Sequence, residues 1–280
     1  MGRGYIASIA MRMFEDRLTL FVAILLGAIV VLVTFAPLFA TYDPYAGSVL
    51  KRLAPVATEG HFLGTDEGGR DLWSRILYGG RLSLLVGTLP VAIALAVGGT
   101  LGMLAGYFRG IINTAIMRTT DVCYAFPSIL LAIAIAGVLG SGFRNAVIAL
   151  SVSFVPPIVR ISESVTAQIR HYDYVEAARA SGASALTVLR RQILINAIGP
   201  LIVYATSLTS ISVILAAGMS FLGLGISPPE AEWGSMLNGM RQAIWVQPLN
   251  AAIPGAMIFV TSMCFNLLSD GLRRAMSVRA

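Results

Sequence analysis

Long apolar runs dominate this 280-residue sequence, and they constrain its fold more than any other feature. A helix needs roughly 20 apolar residues to cross about 30 Å of hydrocarbon. Six segments meet this length rule, so we predict an all-α, polytopic membrane protein with about six transmembrane helices. The predicted spans are 18–40, 81–107, 115–140, 144–168, 194–218 and 249–269.

Composition agrees with a chain that lies mostly in lipid. Only 12% of the residues are charged and 56% are hydrophobic, whereas a soluble domain usually carries about twice that charged fraction. The net charge of +6 comes largely from arginines at the ends of apolar runs, which is typical of topology signals facing anionic lipid. Nucleic acid is therefore not a predicted partner.

Arginine placement predicts the orientation, because cytoplasmic loops are enriched in Lys and Arg. With both termini inside, the short outer connections carry only Arg144 and Arg241. The long outer segment also carries Lys51, Arg52, Arg70 and Arg75, among several acids. We predict cytoplasmic segments 1–17, 170–193 and 271–280, and extracytoplasmic segments 41–80 and 219–248.

The sequence contains no recognisable catalytic, cofactor or metal site. Lys51 is the only lysine and does not follow a glycine-rich phosphate-binding loop, so the chain cannot bind ATP by that route. His61 and His171 have no ligand-spaced neighbours, so a zinc site is not predicted. No G-x-S-x-G nucleophile pattern is present.

Two acids fall inside predicted spans, and intramembrane acids are functional candidates by default. Asp121 follows Arg118 by three residues, and Glu163 follows Arg160 at the same spacing. One helical turn brings such pairs together, so we predict local ion pairs rather than a proton relay. Prolines and glycines also recur in the spans, which fits either tight packing or a bundle that rocks between two arrangements.

The polar stretch DYVEAARASGASALTVLRRQI, residues 173–193, interrupts the apolar pattern. Asp173 and Glu176 have the spacing of a capping box, so we predict a helix that starts at Asp173. Gly182 is predicted to end this helix and Ser184 to cap a second one. The second helix would carry Arg190 and Arg191 back to the membrane, and the whole would form an elbow that a soluble partner could bind.

The same stretch resembles the EAA loop of ABC-importer permeases. Glu176, Ala177, Ala178, Gly182 and Ile193 match that pattern, whereas Ile195 stands where the family has proline. In the family, this loop seats in a cleft of the ATPase subunit. The resemblance therefore implies an ATPase-coupling loop that comprises Asp173, Glu176, Ala177, Ala178, Ser181, Gly182, Ser184, Arg190 and Arg191.

Three further segments are similar to the C-type permeases of dipeptide, oligopeptide and nickel importers. They are HFLGTDEGGRDLWSRILYGGRLSLLVG (61–87), DVCYAFPSILLAIAI (121–135) and SFLGLGISPPEAEWGSML (220–237). The resemblance implies a type I ABC importer permease fold with its core at 81–270. It also implies outer-side contact with a solute-binding protein, for which the candidates are Asp66, Arg70, Asp71, Glu230 and Trp233.

The implied machine contains a homologous second permease, two ABC ATPase subunits that bind ATP and Mg, and an extracytoplasmic solute-binding protein. It would import peptides or similar small solutes across the bacterial inner membrane, and this chain would not be an enzyme. An alternative is a secondary transporter or channel that works without an ATPase. That alternative would require paired membrane acids or internal repeats, neither of which is evident.

Overall fold

A computed structural model describes residue 13 and residues 15–277. Most of the predicted N-terminal tail (residues 1–12 and 14) and the end of the predicted C-terminal tail (278–280) lie outside the described residues. The helices are α1 Arg17–Thr34, α2 Ala36–Phe39, α3 Leu72–Phe108, α4 Gly110–Tyr124, α5 Ser128–Leu139, α6 Phe143–Ile169, α7 Asp173–Ala180, α8 Ala185–Val188, α9 Leu194–Phe221, α10 Trp233–Gly239 and α11 Pro248–Ser277. Short 3₁₀ turns at Val49–Lys51 and Ala243–Trp245 and a π-helical turn at Leu189–Ile193 complete the described elements.

The described chain is all-α, as predicted, with only isolated β-bridges in the outer segment. Five helical segments are long and apolar enough to cross a membrane, and the bent pair α4–α5 supplies a sixth if it is counted as one span. Helix α3 begins at Leu72 instead of near residue 81, because Asp71 caps its first turn. Helix α8, the π-helical turn and α9 run on as one span, Ala185–Phe221.

The centre of the bundle is the contact between α3 and α6, which depends on three glycines. Gly98, Gly102 and Gly106 recur every four residues and face backbone carbonyls of α6, where an added Cβ would lie too close. Small residues at this spacing let two helix backbones approach closely in lipid. These three glycines therefore serve helix packing. The sequence alone was compatible with either tight packing or a bundle that rocks.

The third predicted span, 115–140, is not one helix. Helices α4 and α5 meet at an angle of 83° across residues 125–127. Pro127 lacks an N–H group and restricts the residue before it, so the helix cannot continue through this point. The structure thus places a sharp break where the sequence predicted a continuous span with a kink.

Helices α1 and α11 pack together at the edge of the bundle. Asp16 caps α1 by accepting from Leu18 N–H, and it also accepts from Thr19 Oγ1 and Arg274 Nη2, both at 2.6 Å. These hydrogen bonds, first the one from Thr19, lower the pKa of Asp16 to about 2. An exposed ion pair therefore joins the first and last described helices.

Candidate functional site

Helix α7 forms the first arm of the elbow at residues 173–191. Its N-cap is Tyr172, whose backbone is extended and whose side chain makes no capping hydrogen bond. The predicted capping box is therefore wrong: Asp173 lies inside the helix, one residue after the cap. Asp173 and Glu176 still fall in the first turn and Arg179 in the last, which is the charge order that the helix dipole favours.

Gly182 ends this helix, as predicted. It adopts φ +81°, its N–H donates to Arg179 O, and Ala183 N–H donates to Ala178 O. This is the glycine-terminated helix end in which a left-handed residue closes the last turn. Ser184 then caps α8, because its Oγ accepts from Thr187 N–H at 3.3 Å, which confirms the predicted second cap.

One apolar residue fixes the elbow to the membrane bundle. Val175 is fully buried in a cluster with Ile169, Val188 and Ile193. Arg179 adds a second contact, since its guanidinium lies 4.8 Å from the centre of the Tyr107 ring at the end of α3. Through this cluster, which also includes Ala197 and Leu201, and through Tyr107, the elbow packs against the ends of α3, α6 and α9.

The base of the elbow is also held by a buried arginine. Arg170 is 5% exposed, and its Nη1 donates to Gly106 O at 3.1 Å. It thereby satisfies a carbonyl in the last turn of α3, where a cation is favoured by the helix dipole. The Nη2 atoms of Arg170 and Arg109 both lie within 3.2 Å of His171 Nε2. This network joins the C-terminal ends of α3 and α6.

The predicted coupling residues lie together on one surface at the elbow end of the bundle. Ala178 is half-buried, and the others are exposed: Asp173, Glu176, Ala177, Ser181, Gly182, Ser184, Arg190 and Arg191. Beyond α8 the chain forms the π-helical turn Leu189–Ile193 and enters α9 without a break. Ile195 therefore continues the helix, where a proline would have interrupted its hydrogen bonds.

In the segment between α2 and α3, which is predicted to face outward, Asp66 organises a compact loop instead of offering a free carboxylate. It is 2% exposed and accepts from the N–H groups of Gly68 and Arg70, at 2.8 and 2.9 Å. Its other oxygen lies 2.8 Å from Arg70 Nε and 3.0 Å from Arg75 Nε. Direct contact between Asp66 and a binding protein is therefore excluded by burial in this chain.

Burial also contradicts the prediction that Asp71 and Trp233 contact a solute-binding protein. Asp71 caps α3 through Ser74 N–H at 2.9 Å and lies 2.9 Å from His61 Nδ1. Trp233 is fully buried, and its Nε1 donates to Ile76 O at 3.0 Å. Both side chains build the outer face, but neither reaches its surface.

Arg70 and Glu230 keep the exposure that the contact hypothesis requires. The Arg70 side chain is 17% exposed, and Glu230 is exposed and accepts from Tyr45 Oη at 3.0 Å. Burial, followed by this hydrogen bond, raises the pKa of Tyr45 above its ordinary value. The two polar candidates that could meet a partner are thus Arg70 and Glu230.

The intramembrane acids pair differently from the prediction. Asp121 accepts from Arg160 Nη2 at 2.6 Å, so its partner is on another helix instead of being Arg118 on its own. Glu163 accepts from Asn113 Nδ2 at 3.1 Å. Both local pairings predicted from spacing are therefore wrong, because contacts between α4 and α6 replace them.

Sequence reasoning also missed three side chains that build these surfaces. Val175 and Arg170 hold the elbow, and Glu232 holds the outer segment by capping α10 through the N–H groups of Gly234 and Ser235. Burial raises the pKa of Glu232. Glu232 could have been found from its position directly before a helix start, where an acid can cap the helix. The sequence analysis instead named Glu230, as a candidate contact for a binding protein.

These features define the class of protein: a multi-pass helical transport subunit with broken, proline-containing spans and a polar elbow at one end of the bundle. Residues 98–280 match the family described as binding-protein-dependent transport system inner membrane component, and the chain belongs to this family. It is accordingly a permease subunit of an ABC importer, located in a membrane, and not an enzyme.

Relatives and solved structures agree with this assignment. A glutathione transport system permease protein, GsiD of Pectobacterium atrosepticum, is 43% identical over 225 residues, which cover 80% of this chain and 75% of that protein. A probable D,D-dipeptide transport system permease protein, DdpC of Escherichia coli K12, is 38% identical over 263 residues, with 94% and 88% coverage.

The fold is similar to that of a solved inward-facing MetNI methionine ABC transporter, with a TM-score of 0.60 at 18% identity. That match covers 72% of this chain and 96% of the other. An amino acid ABC transporter solved with histidines gives a TM-score of 0.52 at 20% identity, with 69% and 91% coverage. The predicted type I importer permease fold is thereby confirmed.

Proposed function

We propose that this chain forms half of a translocation pathway for peptides or similar small solutes and receives force through residues 173–191. A homologous second permease would form the other half. Both chain termini and the elbow would face the cytoplasm, whereas residues 41–71 and 222–247 would face outward. The arginine distribution supports this orientation, because the elbow and the ends of α3 and α6 carry the dense cationic clusters.

The observation that carries the coupling role is the geometry of the elbow. Its outer surface is exposed and rich in small residues, which lets a partner's backbone approach closely. Its inner surface is fixed by Val175 and by Arg179 on Tyr107. A partner that moves this elbow would therefore move α3 and α9 with it, which is the rigid-body coupling that alternating access requires.

ATP and Mg would be bound by two separate ABC ATPase subunits. The sequence supports this division of labour, since it contains no phosphate-binding loop. A solute-binding protein would deliver the substrate to the outer face near Arg70 and Glu230. These polar, partly exposed side chains could steer a charged partner.

The substrate class is proposed from the relatives. The two most informative ones carry names that refer to glutathione and to D,D-dipeptides, both of which are short peptides with free charged groups. We propose a short peptide or peptide-like solute for this chain. ATP-dependent uptake of labelled dipeptides by the reconstituted importer measures this directly.

Cross-linking tests the coupling role. In a variant whose Cys123 and Cys264 are replaced by serine, Ser181→Cys should cross-link to an ATPase subunit in native membrane vesicles. Ser141→Cys, exposed in the turn between α5 and α6, is the matched control and should capture no ATPase. Capture of no ATPase at Ser181→Cys would contradict the proposal. So would uptake by this chain alone in liposomes, which would favour the secondary-transporter alternative.

A further inference from the structure

The ion pair between Asp121 and Arg160 is open, although both residues lie within helices of the membrane bundle. The two side chains are 44% and 46% exposed, although their charged atoms are 2.6 Å apart. The ring of Tyr124 lies beneath the guanidinium, with 4.6 Å between Arg160 Cζ and the ring centre. Together these three residues form an exposed cluster with one anion, one cation and one aromatic face.

The cluster lies away from the ends of α4 and α6 that are beside the elbow. Asp121 is eleven residues into α4, and Arg160 is nine residues before the end of α6. At 1.5 Å per residue, Asp121 and Arg160 lie roughly 17 and 14 Å along their helices from the ends beside the elbow, a length comparable to half of a 30 Å hydrocarbon core. The end of α3, the start of α4 and the end of α6 lie side by side, because Arg170 donates to Gly106 O and His171 Nε2 lies 2.9 Å from Arg109 Nη2.

The broken backbone between α4 and α5 lies beside this cluster. Residues 125–127 are exposed, and a cavity of about 230 Å³ opens next to them. Its lining includes Tyr124, Phe126, Pro127, Ser128, Ser153 and Pro156. At membrane depth, irregular backbone is tolerated only where protein buries it or where it lines a water-filled cavity.

Lipid is excluded as the surroundings of this cluster by its charge. Half-exposed ions at the bilayer centre are costly in hydrocarbon, and intramembrane charges usually mark a substrate or ion pathway. Transporters also place solute sites near the midplane, beside discontinuous helices. The ion pair, the helix break and the cavity lie together, which is the combination expected beside a translocation pathway.

We propose that Asp121, Arg160 and Tyr124 form a solute-contact site on the wall of this pathway, for a zwitterionic solute such as a short peptide. Arg160 uses Nη2 on Asp121, and its other N–H groups can donate to a solute carboxylate. Asp121 can accept from the solute ammonium group. As the solute passes, its carboxylate would pair with Arg160 and its ammonium group with Asp121. All four charges would therefore remain paired. This site rests on the proposed peptide-importer function.

Thiol labelling tests whether the cluster faces water. In the complete importer, reconstituted without Cys123 and Cys264, Tyr124→Cys should react with a charged methanethiosulfonate reagent. The control is Ile24→Cys on the exposed face of α1, 62% exposed in this chain. We expect labelling of Ile24→Cys to be about tenfold slower, because apolar surroundings suppress the reactive thiolate. Equally slow labelling at both positions, with and without ATP, would overturn the site.

Transport kinetics test the solute contact. With alanyl-alanine and its C-terminal amide as probes, Arg160→Gln should raise the KM for the free acid about tenfold relative to the amide, the size expected for one lost charged hydrogen bond. Asp16→Asn, which breaks an ion pair of the same 2.6 Å length outside the pathway, should leave that ratio unchanged. An unchanged ratio in Arg160→Gln, or an equal change in Asp16→Asn, would refute the contact.

The two experiments separate this site from the function on which it rests. If the wild-type importer carries neither probe, the proposed peptide substrate is wrong, while labelling at position 124 still decides whether the cluster faces the pathway. If both probes are carried but Tyr124→Cys does not react, the solute-contact site is wrong and the importer function stands.

Discussion

Replacing Gly182 by aspartate should detach the ATPase while leaving the permease folded. Gly182 adopts φ +81°, and a Cβ added there meets no atom within 4 Å of this chain. The cost within the chain is therefore backbone strain, about 1–2 kcal/mol for an L-residue in the left-handed region. Because aspartate tolerates that region better than most residues, the lower end applies.

The cost of docking is larger than the cost of strain. An unpaired carboxylate buried against a partner costs about 3 kcal/mol, which weakens binding roughly 150-fold. It would also lie at the C-terminal end of α7, where negative charge is disfavoured. We therefore expect normal amounts of Gly182→Asp in the membrane, no co-purifying ATPase and no ATP-driven uptake.

Gly223 provides a matched control for this prediction. It has φ +80° and open space around it, and it ends α9 with the same hydrogen-bond pattern, through Ser220 O and Met219 O. Gly223→Asp therefore carries similar strain but lies far from the elbow. It should keep the ATPase at the wild-type ratio. The docking argument is refuted if Gly182→Asp retains the ATPase and solute-stimulated ATP turnover as Gly223→Asp does.

Three further substitutions test the packing that supports the elbow and the outer face. Gly102→Ala should lower the stability of the purified permease by about 1–3 kcal/mol, because its Cβ would overlap α6; Gly99→Ala, one turn away with no atom nearer than 3.9 Å, should be neutral or slightly stabilising in thermal unfolding. Val175→Ala should cost about 2 kcal/mol by emptying the elbow cluster, and hydrogen exchange at residues 173–180 should accelerate. Burial raises the pKa of Glu232, so stability due to Glu232 is complete below its ordinary pKa of 4.5 and declines as pH rises through the raised value; Glu232→Gln should remove that decline in a pH series of unfolding temperatures.

Each of these results has a clear opposite. Equal unfolding temperatures for Gly102→Ala and Gly99→Ala would show that α3 and α6 can accommodate the added methyl group without loss of stability. Unchanged exchange in Val175→Ala would mean that Arg179 alone holds the elbow. An unchanged pH profile in Glu232→Gln would assign the pH dependence to other groups.

Hydropathy and local turn chemistry were sufficient to predict much of this molecule. The apolar runs predicted most of the spans. Gly182 ended one helix through its left-handed backbone, and Ser184 capped the next through its hydroxyl. Contacts between helices could not be obtained in that way. Asp121 pairs with Arg160 on α6 rather than with Arg118, because the packing of two helices decides which charges meet.

The sequence also could not predict which side chains of the outer segments are buried. A polar residue in a predicted loop reads as exposed, yet Asp66 is buried because backbone amides and two guanidinium groups neutralise it. Trp233 likewise matched the pattern of an interfacial aromatic. Its side chain instead packs against α3, where Nε1 donates to Ile76 O. Such loops fold around their own charges, which only the tertiary structure reveals.

The π-helical turn at Leu189–Ile193 has a consequence for how this permease could be altered or could diversify. A wide turn of this kind accommodates one extra residue in an otherwise regular helix. Deleting a single residue there would restore ordinary winding and rotate everything upstream by about 100° about the helix axis. Glu176 and its neighbours would then point away from the side on which the proposed ATPase partners would bind, although every side chain of the proposed docking surface was still present.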